Sequence, residues 1–304
     1  MYDMIIVGAG TAGLSAGIYA ERAGKSALVL EGEAYGGQII NTPDIENYPG
    51  ISHISGFDFA TGLYNQATEL GCEVKFENVV KVEIQGNMKK VITDSGEYEA
   101  PALILATGAK NRKLGVEREE ELTGHGVSYC ATCDGMFYKE KVTAVAGGGN
   151  TAVEDAEYLA DICEKVYIIH RRDEFRADSS EVKRLHSHEN VEFVLNSVVT
   201  ELESADGKLN GIKVHDKVSG EDRNIAVDGF FVAVGQVPDN NRFSDIVDLD
   251  EKGYIIADDT LATKTPGVFA AGDCRTKKVR QLVTAASDGA AAALAACDYI
   301  KTLD

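Results

Sequence analysis

Twice along this chain a short apolar run opens into a glycine-rich turn, then a helical pattern, then a second apolar run. The first copy runs from Asp3–Val7 through Gly8-Ala9-Gly10-Thr11-Ala12-Gly13 to a helical stretch over Leu14–Gly24 and a strand over Ser26–Leu30. That order constrains the fold to a parallel sheet with a crossover helix. Gly8 permits the tight turn, Gly10 lets a pyrophosphate approach the backbone, and Gly13 lets helix and strand pack closely. Thr11 and Ala12 complete the loop, and free amides at the helix N-terminus then face the phosphates. Glu31 ends the second strand, 18 residues after Gly13, where a carboxylate accepts from a ribose hydroxyl.

The second copy begins with the strand Lys141–Ala146, followed by Gly147-Gly148-Gly149-Asn150-Thr151-Ala152, a helix over roughly Ala152–Cys163 and a strand over Lys165–Ile169. Here His170 lies 18 residues after Ala152, the offset that placed Glu31 after Gly13. Arg171 and Arg172 follow, with Arg176 one helical turn further. An acid at this place suits a free 2′-hydroxyl, whereas arginines suit a 2′-phosphate through bidentate charged bonds. The first site is expected to hold an unphosphorylated adenosine and the second NADP(H).

Between the two loops stands Cys130-Ala131-Thr132-Cys133-Asp134-Gly135. A C-x-x-C pair can close a local disulfide with one thiol of lowered pKa, but it is equally half a zinc site. Its position among redox-cofactor patterns favours a redox relay. The Asp134 carboxyl could give or take the proton that exchange requires.

Composition closes off other classes. Thirty basic against 49 acidic side chains give a net charge of −19 over 304 residues, which argues against nucleic acid or an anionic membrane as partner. No apolar run approaches the roughly 20 residues of a membrane span. Cys72, Cys163, Cys274 and Cys297 are scattered, with no second C-x-x-C to complete a zinc site. That usage fits a reducing cytosol rather than a secreted disulfide framework. A strand right after Met1 leaves no room for a signal peptide.

The remaining chain reads as support for these units. Gly36-Gly37-Gln38 and Asn47-Tyr48-Pro49-Gly50 are turn-rich, Phe57–Leu70 is helical, and Glu73–Glu83 and Lys90–Thr93 look like strands. Ala102–Ala106 is a buried strand ending at Thr107-Gly108, and Phe230–Gly235 repeats it in the second unit. Val268–Gly272-Asp273 has no counterpart within the second unit and reads as a strand returning to the first domain. There Asp273 could bind a polyol chain, and a closing helix over Gln281–Leu303 would aim its positive end at a ligand. The expected fold is α/β, with two Rossmann-like dinucleotide-binding domains, the second inserted in the first. Residues 1–113 and 241–304 form the first domain and residues 114–240 the second.

Taken together, Gly8–Gly13, Gly36–Gln38, Asn47–Gly50, Ala106–Gly108, Cys130–Gly135, Gly147–Ala152, His170–Arg176, Gly272-Asp273 and Arg280-Gln281 resemble, in order and over the whole chain, the low-molecular-weight thioredoxin reductases. The resemblance implies FAD in the first domain, NADPH in the second, a homodimer, and thioredoxin as the protein disulfide substrate. It implies that Cys133 is the sulfur nearer the flavin, that Cys130 attacks thioredoxin and that Asp134 is the acid. Arg280, Gln281 and Leu282 fall where the family touches the flavin, and the two domains are expected to turn relative to one another. Three departures stand out. His125 replaces a common arginine, Glu117-Arg118 a usual Pro-Gly, and Ala146 a usual valine or isoleucine. Related flavoproteins that use ferredoxin would be expected to lack either the arginines or the cysteine pair, and this chain has both.

Overall fold

The computed structural model describes residues 2–42 and 44–303, Asn41 by its backbone alone; the outermost residues of the expected domain bounds, 1 and 304, lie outside them. In chain order the elements begin β1 (Met4–Val7), α1 (Thr11–Arg22), β2 (Ala27–Glu31), α2 (Gly56–Glu69), β3 (Glu73–Phe76), β4 (Val79–Gln85), β5 (Met88–Thr93), β6 (Glu97–Ala100) and β7 (Ala102–Leu105). The chain continues through β8 (Lys110–Asn111), β9 (Val127–Ser128), α3 (Ala131–Asp134), β10 (Val142–Gly147), α4 (Asn150–Ala160), β11 (Lys165–Ile169), α5 (Ser179–Leu185) and β12 (Val191–Val194). It ends with β13 (Ser197–Ala205), β14 (Lys208–Asp216), β15 (Asp222–Ile225), β16 (Gly229–Ala233), β17 (Gln236–Val237), β18 (Val268–Ala270) and α6 (Leu282–Lys301).

These elements form two compact units, residues 1–110 with 237–304 and residues 111–236. The first is built on a parallel sheet of order β18-β7-β1-β2-β3. Except for the edge strand β3, its strands are nearly continuous apolar runs because both faces are covered. Alternation along β1 sends Met4 and Ile6 toward α1 and α6, and Ile5 and Val7 toward Phe243, Ile246 and Ile255 on the other face. Helix α1 carries small residues where it crosses α6, and a Cβ at Gly289 would meet the Ala12 carbonyl oxygen at 2.0 Å.

The second unit repeats the plan with a sheet of order β12-β11-β10-β16-β9. Val145, Ile168 and Phe231 pack on α4, while Ala144, Ile169 and Phe230 face an antiparallel layer. Strand β9, two residues long, pairs parallel with β16 just as β18 pairs with β7. The second unit therefore does contain a counterpart of the returning strand, placed before its glycine loop rather than after it. Two residues give no hydrophobic period, so the strand left no signal in the sequence.

Each unit also inserts a three-stranded antiparallel sheet, β4-β5-β6 in the first and β13-β14-β15 in the second. The stretch Glu73–Glu83, expected as one strand, is divided between two sheets at Glu77-Asn78. Glu77 accepts from the Thr93 and Tyr98 hydroxyls, and the Asn78 amide donates to Asp94, which turns the chain out of the parallel sheet. Among the described residues no helix is long and apolar enough to cross a membrane.

Candidate active site

In the first unit the structure gathers the expected loop residues around the start of α1. Gly8 has φ 106°, and a Cβ there would meet the Ala106 carbonyl oxygen at 2.4 Å. The Gly36 amide donates to the Ala9 carbonyl at 2.8 Å, and a Cβ on Gly37 would touch the Gly10 Cα. Gly272 lies against Ala12, and Asn47 Nδ2 donates to Gln281 Oε1 at 3.3 Å. Gly10 caps α1 without a side-chain bond and has open space around it, leaving the first-turn amides available.

Glu31 ends β2 and accepts from the Ala9 amide at 2.7 Å and the Glu33 amide at 3.0 Å. Those bonds orient the carboxylate and leave lone pairs for a ligand hydroxyl. The Thr107 hydroxyl donates to Asn240 Oδ1 at 2.8 Å, and Asn240, fully buried, donates to the Gly253 and Cys274 carbonyls. Asn240 was not singled out from sequence; inside a polar run only burial distinguishes it. Asp273 Oδ1 is buried with no partner among the described residues, and burial pushes the carboxyl above its ordinary range against the pull of Lys277 and Arg280. Arg280 lies over the Tyr254 ring and donates to the Asp273 and Arg275 carbonyls, so it braces this loop. Gln281 caps α6 in a reciprocal box with Thr284, and Leu282 is the first helical residue.

In the second unit Cys130 and Cys133 are joined as a disulfide with Cα atoms 5.3 Å apart. Cys130 caps α3, whose length is a single turn ending at Asp134. The Thr132 hydroxyl lies 3.4 Å from Cys130 Sγ. Ser128 on β9 donates to Asp134 Oδ2 at 2.6 Å and accepts from the Cys130 amide at 3.1 Å. Asp134 Oδ1 is buried and unpartnered, and burial raises the carboxyl pKa while Ser128 opposes the rise. The preceding Tyr129 donates to Glu119 Oε1 at 2.8 Å, and Glu119 also accepts from the Leu114 and Gly115 amides. A buried carboxylate thus ties the redox loop to the segment entering this unit.

Behind α3 lies Asp155 on α4, which burial, with Glu154 beside it, pushes up to about 7; the Ala131 amide pulls the other way. Its spacing from Ala152 and Leu159, on the buried helix face, was a signal available in the sequence. Ser128 and Glu119 carried none, since their roles come from tertiary contacts.

The second glycine loop is backed by His170. The ring lies where a Cβ on Gly148 would stand, its Nε2–H donates to the Glu174 carbonyl, and it stacks on Phe175. Burial lowers its pKa, so it props the loop as a neutral ring. Arg171, Arg172 and Arg176 are exposed, and none is ion-paired among the described residues. The Arg176 amide donates to the Gly148 carbonyl at 2.7 Å, which keeps this segment beside the loop. Gly149 caps α4 with no side-chain bond and open space around it, followed by Asn150, Thr151 and Ala152 in the first turn.

Two parallel sheets, each with a glycine loop at a helix start, and a disulfide in the second define a class. Residues 2–289 match the pyridine nucleotide-disulphide oxidoreductase family, and the chain belongs to it. Thioredoxin reductases of Listeria monocytogenes and Bacillus subtilis are 43% and 42% identical over 100% of this chain and 95% and 96% of their own. The crystal structure of thioredoxin reductase from Streptococcus pyogenes superposes with TM-score 0.95 at 42% identity, covering 99% of each chain. Within that family the chain belongs to the low-molecular-weight, bacterial-type thioredoxin reductases, flavoprotein oxidoreductases that act on a protein disulfide.

Proposed function

We propose that the chain passes electrons from NADPH through FAD to the Cys130–Cys133 disulfide and on to the disulfide of thioredoxin. The observation that carries this reading is one unit that holds the redox disulfide, the protonable Asp134 and a glycine loop flanked by exposed arginines. For FAD, support comes from the unpartnered buried Asp273 Oδ1, which matches a hydroxyl of a polyol chain, and from the open amides after Gly10. Gly8–Gly13, Glu31, Gly36–Gln38, Asn47, Ala106–Gly108, Gly272-Asp273 and Arg280–Leu282 would hold it. When bound, the flavin supplies two-electron chemistry between a nicotinamide and a disulfide.

The chain's own residues do the rest. Arg171, Arg172 and Arg176 hold the 2′-phosphate through charge-assisted bonds, and His170 fixes the loop beneath the pyrophosphate. In the reduced protein the Cys130 thiolate attacks one sulfur of the partner disulfide and breaks that S–S bond. Cys133 then attacks Cys130, closing the Cys130–Cys133 bond and releasing the partner as a dithiol. Two protons leave the enzyme thiols and two arrive on the partner's, and Asp134 is the carboxyl that carries them. We place this activity in a cytoplasmic homodimer. The four free cysteines, all buried, fit a reducing compartment, and the family resemblance implies the dimer.

The test is NADPH-dependent reduction of thioredoxin by the purified protein. Cys130→Ser and Cys133→Ser should each abolish it, since a single thiol cannot resolve the mixed disulfide. Normal turnover by either variant would end the relay.

A further inference from the structure

We propose that Ser128 is a positioning residue for the disulfide chemistry, one hydroxyl that joins the Asp134 carboxyl to the Cys130 backbone. The proposal rests on the reading of Asp134 as the proton carrier. Ser128 is buried on β9, the two-residue fifth strand, and β9 is held by its parallel pairing with β16. A hydroxyl has one proton to give. Here it goes to Asp134 Oδ2 at 2.6 Å rather than to the Cys130 carbonyl at 3.4 Å. The oxygen's lone pair meanwhile accepts from the Cys130 amide at 3.1 Å. The same atom thus fixes where the carboxyl stands and where the attacking cysteine's backbone stands. Without it, both Asp134 oxygens would lack a partner in a buried place, because Oδ1 already has none.

The charge consequence follows from the surroundings. Burial raises Asp134, and the Ser128 bond is the one interaction that opposes it. The turn after α3 brings Tyr138 beside the carboxyl, and among the described residues no cation takes over that role. Ser128 therefore holds the carboxyl lower than burial alone would leave it.

Two measurements on the full-length holoprotein test this: the infrared band of a protonated carboxyl followed with pH, and single-turnover oxidation of the reduced protein by oxidised thioredoxin from pH 5.5 to 9. The Asp134 band, identified by its loss in Asp134→Asn, should titrate about one pH unit higher in Ser128→Ala. The midpoint of the rate profile should move the same way, by about one pH unit. Ser128→Thr, which keeps the hydroxyl, should restore the midpoint. A band and profile unchanged in Ser128→Ala, beside an affected Asp134→Asn, would overturn the proposal alone. If Asp134→Asn itself leaves the rate profile unchanged, Asp134 is not the carrier, and the proposal falls with that reading.

Discussion

The two glycine loops share one frame and differ at its third position and its tip. Gly8 and Gly147 each press against the end of the neighbouring strand, with a Cβ 2.4 Å from the carbonyl oxygen of Ala106 or Ala233. In the first loop Gly8 is left-handed, which brings its carbonyl oxygen within 1.8 Å of any Cβ on Gly13. In the second loop Gly147 stays out of that region, and the Ala152 methyl fits where Gly13 has none. The strand ends then diverge, with a carboxylate at Glu31 and a buried neutral ring at His170. Close approach between loop and sheet is imposed by the fold. The third position follows from the loop's backbone, and the tip is left to choose the nucleotide.

The severest way to break this comparison is Gly13→Ala, which makes the first loop imitate the second. A methyl 1.8 Å from a backbone oxygen cannot be absorbed by rotating a side chain. Destabilisation of at least about 3 kcal/mol is expected, at the upper end for overpacking, with loss of bound flavin. Unchanged Tm and flavin content would show that the left-handed Gly8 is not obligatory.

The units also differ in the carboxyls they bury. Asp273 has Lys277 and Arg280 nearby to temper its rise, whereas Asp155 is pushed to about 7 with Glu154 beside it and, among the described residues, no cation to temper it. A folded-state pKa above the unfolded one adds stability that is complete below the unfolded pKa and lost as pH rises through the folded value. For Asp155 that window runs from about 4 to 7. Asp155→Asn should therefore gain on the unmodified protein as pH rises from 5 to 8.5, by up to about 3 kcal/mol. Thermal melts of both proteins across that range measure it. A constant difference in Tm would mean that Asp155 does not titrate there.

What the sequence disclosed follows the same division. Both loops, the disulfide and the divergence between Glu31 and His170 were legible because they rest on local spacing. His170 was readable as a tip residue, but not as a buried prop, since burial depends on Phe175 folding back over it. Strand β9 and Ser128 escaped notice because the sheet that holds them closes between Val127 and Phe230, far apart along the chain. Asp155 could have been seen, as an acid within an apolar helical stripe. The antiparallel layers were half visible, and their breaks depend on side chains such as Glu77 that bond across the turn.

The tips give a sharper test of nucleotide choice. Arg171 and Arg172 have no carboxylate partner among the described residues, so their charge is available to a 2′-phosphate. NADPH should exceed NADH at least tenfold in kcat/KM, a difference of about 1.4 kcal/mol. Replacing both with alanine should remove most of that preference while leaving NADH use little changed. Equal use of the two nucleotides by the unmodified protein would refute the assignment.

The mildest change runs the comparison in reverse. Ala152→Gly gives the second loop the first loop's third residue. Because Gly147 is not left-handed, its carbonyl does not crowd this position, and nothing is relieved by removing the methyl. What is lost is a fully buried methyl and some helix propensity in the first turn of α4. Each of those is worth about 0.5–1 kcal/mol, so a loss of about 1–2 kcal/mol is expected, without change in nucleotide preference. A fall in stability matching that of Gly13→Ala would mean that the third position is equally exacting in both loops. A gain in stability would mean that the Ala152 methyl is strained against Gly147, and that the second loop too was built for glycine.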